Sequence, residues 1–144
     1  MSALDPYDAL PKPKTLPLRW ALVHHERPYT ANESRRWHWA RRAKADAAWR
    51  QTFCWLAKAA AVPHLEACRI EVTHYVARRG NWPDSAACAP CAKAGIDGLV
   101  DAGVIDDDDP SHLVETVYRV VAMPDAWRKP GVTGALGVVV EEVR

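Results

Sequence analysis

No stretch of this chain approaches the roughly 18 consecutive apolar residues that a membrane-spanning helix needs. The opening residues, MSALDPYDALPKPKTLP, also lack the basic start and apolar run of a secretory signal. The expected location is therefore the cytoplasm, with no membrane partner, and Cys54, Cys68, Cys88 and Cys91 are expected as reduced thiols. No Ser-His-Asp signature, P-loop or GxGxxG occurs, so neither a protein nucleophile nor nucleotide-driven chemistry has support. Internal repeats are absent as well. The net charge of +1 argues by itself for no partner.

What is present is one domain's worth of chain. A length of 144 residues allows a real core, and 49% apolar and 26% charged residues are ordinary for a globular protein. Residues 1–14, with Pro6, Pro11 and Pro13 and no periodicity, read as a flexible N-terminal arm before a domain over 15–144. Leu16–His24 reads as a strand and 26–33 as a loop. A helix is expected from Ser34, as its cap, to about Ala61, with Trp49, Phe53, Leu56 and Ala60 as its apolar stripe. Arg69–Ala77 alternates as a strand, with Ile70, Val72 and Val76 on one face. A loop over 78–87 leads to a helix over about Ala89–Ala102, with Pro90 in its first turn and Ala92, Ile96, Leu99 and Val100 on its buried side. Strands are expected at Leu113–Val121 and Leu136–Val143, on either side of a Pro/Gly loop over 123–134. The order β-α-β-α-β-β predicts a small α/β (α+β) domain. Its mixed sheet has about four strands, with two main helices.

The distribution of charge is more informative than its sum. Six of the basic residues and a single acid, Asp46, lie between Arg35 and Arg50, whereas acids collect between Asp97 and Asp109. In TANESRRWHWARRAK (Thr30–Lys44), arginines interleave with Trp37, His38 and Trp39. Arg35, Arg36, Arg41, Arg42 and Lys44 on an exposed side would hold phosphates, while one of the two tryptophans packs into the core. In KAGIDGLVDAGVIDDDD, Lys93, Asp97 and Asp101 recur every four residues and share a helix face. That pattern alone equally describes a solvated face with an ion pair. The Gly103 exit would fold Asp106–Asp109 back toward the helix. Asp84 from the preceding loop, Asp97 and one or two of Asp106–Asp109 could then meet around Mg²⁺, which prefers carboxylate oxygens. The rest of the run would face solvent or cap the backbone near Pro110. Lys93, without a partner of its own, would neutralise charge on a phosphate. Cys88-x-x-Cys91 supplies half of a zinc site, but no second pair follows. Both cysteines read better as small apolar residues at the start of the helix. His74, on the apolar face of its strand, reads as a satisfied core histidine.

Three stretches resemble the RusA-like crossover-junction endodeoxyribonucleases of phages and prophages: TANESRRWHWARRAK, RRGNWPDSAACAPCAKAGIDGLVDAGVIDDDD and LVETVYRVV. The middle stretch is the specific one: a loop Asp, a Lys heading a helix, an Asp four residues on, a Gly exit and paired aspartates. The resemblance implies a homodimeric, Mg²⁺-dependent enzyme, with Mn²⁺ as an alternative ion, that resolves four-way (Holliday) DNA junctions by paired symmetric nicks. It implies catalytic roles for Asp84, Lys93, Asp107 and Asp108. The metal would be held by Asp84, Asp107 and Asp108, with Asp97 matching a helix aspartate of the family. The chain departs from the family at Ala86 and Ala87, where an acid or amide is usual. That departure motivates a second expectation, a catalytically weakened or inactive protein that binds branched DNA. A zinc-stabilised DNA-binding regulator built on Cys88 and Cys91 is a third.

Overall fold

Alternating apolar residues create the strands, and their pairing builds one mixed sheet. The computed structural model describes residues 17–77 and 80–144, so the arm expected over 1–14, together with Leu16, Arg78 and Arg79, lies outside the described residues. The strands are β1 (Arg19–His24), β2 (Cys68–Val76), β3 (Leu113–Ala122) and β4 (Gly134–Glu142), in the spatial order β1-β4-β2-β3. The C-terminal strand β4 is antiparallel to both β1 and β2, while β2 and β3 are parallel. Parallel neighbours need a crossover. Here it contains the helix α3 (Ala89–Asp101). The expected α/β class, four-stranded mixed sheet and two main helices are all present.

On β2, Ile70, Val72, His74 and Val76 are buried. The residues between them fall on the opposite face. There, Arg69 bridges Glu71 at 2.6 Å and Glu115 at 2.5 Å, and Arg19 reaches Glu71 at 3.0 Å. Apolar residues of β2 and β4 meet Phe53, Leu99 and Ile105 in one buried cluster.

The helix expected from Ser34 to Ala61 is two helices. A short α1 (Ala31–Ser34) ends where the cap was expected, and α2 spans Trp39–Ala59. Local hydrogen bonding explains the split. The Thr30 hydroxyl accepts from the Glu33 N–H while the Glu33 carboxylate accepts from the Thr30 N–H, a reciprocal cap that starts a helix four residues early. His38 then caps α2, its Nδ1 accepting from the Ala40 N–H at 3.2 Å. Trp49 and Phe53 are buried as expected, but Ala57 rather than Ala60 completes the stripe. The first strand begins at Arg19, beyond Pro17. Helices α2 and α3 touch backbone to backbone at Gly98, where a Cβ would stand 2.2 Å from the Arg50 carbonyl oxygen.

Candidate functional site

The exit from α3 builds the site. Gly103 adopts φ +79°, a conformation that favours glycine. Its N–H donates to the Val100 carbonyl and the Val104 N–H to the Leu99 carbonyl, both at 3.0 Å, closing the helix with a Schellman motif. Fully buried Val104 and Ile105 anchor the returning chain, and the Leu65 N–H donates to the Val104 carbonyl at 2.7 Å. The acid run therefore doubles back along α3, and Asp108 reaches Lys93. The Lys93 ammonium donates to Asp97 at 2.7 Å and to Asp108 at a closer approach. These contacts, with Asp108 the stronger partner, raise the Lys93 pKa, and Lys93 holds the Asp108 carboxyl below its ordinary range. The lysine expected without a partner has two.

The remaining acids divide as adjacent side chains must. Asp107 accepts from the Asp108 N–H at 2.7 Å, and Asp106 faces His64 at 3.0 Å. Asp109 accepts from the Ser111 N–H at 2.9 Å, capping the turn beyond Pro110. Asp101 does not join Lys93: the Arg50 guanidinium of α2 grips both of its oxygens, at 2.5 and 2.7 Å.

Asp84 is placed elsewhere. It lines a cleft of about 720 Å³ with Arg27, Glu33, His74, Trp82 and Thr133, a cleft that Lys93 does not line. The carboxylates proposed for magnesium therefore do not form one ligand set. Among the described residues, no group of three or more His, Cys, Asp or Glu is placed to hold a metal ion. Asp97 and Asp108 are instead both drawn onto the Lys93 ammonium. Ala86 and Ala87 carry no donor that could complete a set nearer Asp84. Cys88 and Cys91 are buried free thiols, their pKa values pushed up by burial, that of Cys88 to about 11.

The basic surface is open. Arg35, Arg36, Arg41, Arg42 and Lys44 are exposed and have no acidic partner among the described residues. Arg41 lies over the Trp37 ring at 4.3 Å. Trp37 packs against the core, whereas Trp39 is 70% exposed. A groove of about 330 Å³ between α2 and α3 is lined by Asp46, Arg50, Lys93 and Asp97, and by none of these five basic residues.

His74 departs from its expected role. It is 4% exposed, yet its Nδ1 finds no hydrogen-bond partner among the described residues. Burial lowers its pKa, which favours the neutral ring. Beside it, Arg27 closes a two-pronged contact on Glu33 at 2.6 and 2.8 Å. The cleft is not legible in the sequence, because its residues come from four separate segments. The Thr30-x-x-Glu33 spacing was the one readable signal, as a capping box.

No protein-family model matches the chain, and no curated protein matches it. Among the described residues, no helix is long and apolar enough to cross a membrane.

Proposed function

We propose that this chain is a DNA endonuclease of the junction-resolving type, acting as a homodimer on branched DNA. The observation that carries the reading is the return of the acid run onto Lys93, in a molecule whose Arg35, Arg36, Arg41, Arg42 and Lys44 are exposed and have no acidic partner among the described residues. In this reading Arg35, Arg36, Arg41, Arg42 and Lys44 hold phosphates of the duplex arms. Lys93, handed from Asp97 and Asp108 to a scissile phosphate, stabilises the negative charge that develops there. Asp97 and Asp108 keep the ammonium charged and positioned beforehand. A C₂ dimer suits the substrate, because a four-way junction presents two near-equivalent strands to two equivalent sites.

Magnesium belongs to this reading through the acid run and the sequence resemblance, and manganese through the resemblance. The arrangement of Asp84, Asp97, Asp107 and Asp108 does not fit such an ion. That misfit, with Ala86 and Ala87, favours a second reading: a protein that binds branched DNA without cutting it.

One experiment separates the two. The protein is incubated with a synthetic four-way junction in Mg²⁺, Mn²⁺ or EDTA, and binding and strand cleavage are followed on native and denaturing gels. Paired symmetric nicks that need the divalent ion, and that disappear in Asp107→Asn/Asp108→Asn while binding persists, support the endonuclease. Binding without nicks under either ion favours the second reading. Failure to bind at low salt removes both.

A further inference from the structure

We propose that the cleft lined by His74, Arg27, Glu33, Asp84, Trp82 and Thr133 receives a single unpaired nucleobase. The inference deepens the DNA-binding reading and rests on it. At about 720 Å³ the cleft falls within the range of small-molecule sites, roughly 300–1,000 Å³. Its chemistry selects against phosphate. Among the described lining residues, Glu33 and Asp84 are two carboxylates against one cation, and both prongs of Arg27 are already closed on Glu33. A polyanion would find no free cation among the described lining residues and would meet more carboxylate than cation there.

A nucleobase suits the same wall. A buried polar atom without a partner is costly, and the Nδ1 of His74 is such an atom. The unpartnered Nδ1 of the neutral ring donates or accepts according to its tautomer, so it can meet either kind of group on a base edge, whereas a phosphate only accepts. Trp82 brings an aromatic ring, 46% exposed, to the same cleft. Every base has a flat face that stacks on such a ring. A base paired inside a duplex cannot enter, so the ligand is a base taken out of its pair and stack on binding, which costs least where pairing is weakened, as beside a branch point.

The test uses the full chain and a four-way junction carrying 2-aminopurine at the branch point, with EDTA present to prevent cleavage. Anisotropy of a distant dye measures binding, and 2-aminopurine emission reports whether the base has left the stack. Emission is expected to rise severalfold at saturation. It should lose most of that rise in Thr133→Trp, which fills the cleft from an exposed position, and in His74→Phe, which keeps the ring but removes its polar edge. Both variants are compared at saturating protein, with circular dichroism to verify the fold. No rise in the saturated wild type, or the same rise in wild type and Thr133→Trp, overturns the proposal. Should the junction not bind even at low salt, the DNA reading itself has failed, and free 2-aminopurine riboside decides the cleft. A riboside-dependent shift of the His74 ring protons by NMR that is absent in Thr133→Trp supports the proposal, and no shift at saturating riboside overturns it.

Discussion

Single residues carry different burdens in this molecule, and two glycines make the contrast measurable. A Cβ at Gly98 would overlap the Arg50 carbonyl oxygen at 2.2 Å and crowd the Cys54 N at 2.9 Å, both backbone atoms that cannot step aside. One at Gly103 would meet nothing within 4 Å and would only strain the positive φ. Gly98→Ala should therefore cost about 3 kcal/mol or more through overpacking, and Gly103→Ala about 1 kcal/mol, measured by urea denaturation. Lys93 should behave in the opposite way. Its ion pairs are largely exposed, so Lys93→Met should change stability by less than about 1 kcal/mol yet reduce junction cleavage by about 100-fold or more. Single-turnover cleavage beside a denaturation curve separates the two effects. Glu33 offers a test through pH. Hydrogen bonds from Arg27 hold its carboxyl at about 2, against an ordinary 4.5. A depressed folded-state pKa gives stability that is full above the ordinary value and lost as pH falls toward the folded one. Glu33→Gln should be less stable than wild type at neutral pH, and the gap should close between pH 4.5 and about 2 in denaturation curves collected across that range.

At the scale of elements, α2 combines a structural half with a recognition half. Trp49, Phe53 and Ala57 bury one stripe of its later turns, while its first turns carry Arg41, Arg42 and Lys44 into solvent. The preceding turn adds Arg35 and Arg36 beside exposed Trp39. If all five cations contact phosphates, log affinity should fall with log salt at a slope near −4.5, about −0.9 per contact. Replacing Arg35 and Arg42 with Ala should flatten that slope by about two contacts' worth and weaken all DNA sequences alike. Fluorescence anisotropy over a salt series measures both. Helix α3 was read closely from sequence because period, proline placement and glycine exit agreed over its whole length. The start of α2 was misplaced because two capping devices, Thr30–Glu33 and His38, act within a few residues of each other, and the apolar stripe begins too late to arbitrate between them.

For the whole molecule, the decisive feature is that the last strand is an inner one. Strand β4 pairs with β1 through Arg19↔Glu141 to His24↔Leu136, and with β2 through Cys68↔Glu142 to Val76↔Gly134. Leu136, Val138 and Val140 on β4 are fully buried. A chain ending at Thr133 would leave β1 without a neighbour and open the core. Such a truncation should lose cooperative unfolding by circular dichroism, whereas a mere edge strand would cost only part of the stability.

The fold class, the strand positions, the α3 face and the return of the acid run after Gly103 were legible in the residues. Each depends on local periodicity or on a turn whose geometry a single glycine permits. The strand order was not, because register and neighbour choice are settled by which apolar faces meet across the core. Only the tertiary structure paired Lys93 with Asp108 and Arg50 with Asp101, and placed Asp84 beside His74 instead of beside the acid run. Charges within one element can be counted from spacing. Which charge compensates another across elements depends on where the packed core leaves room for them.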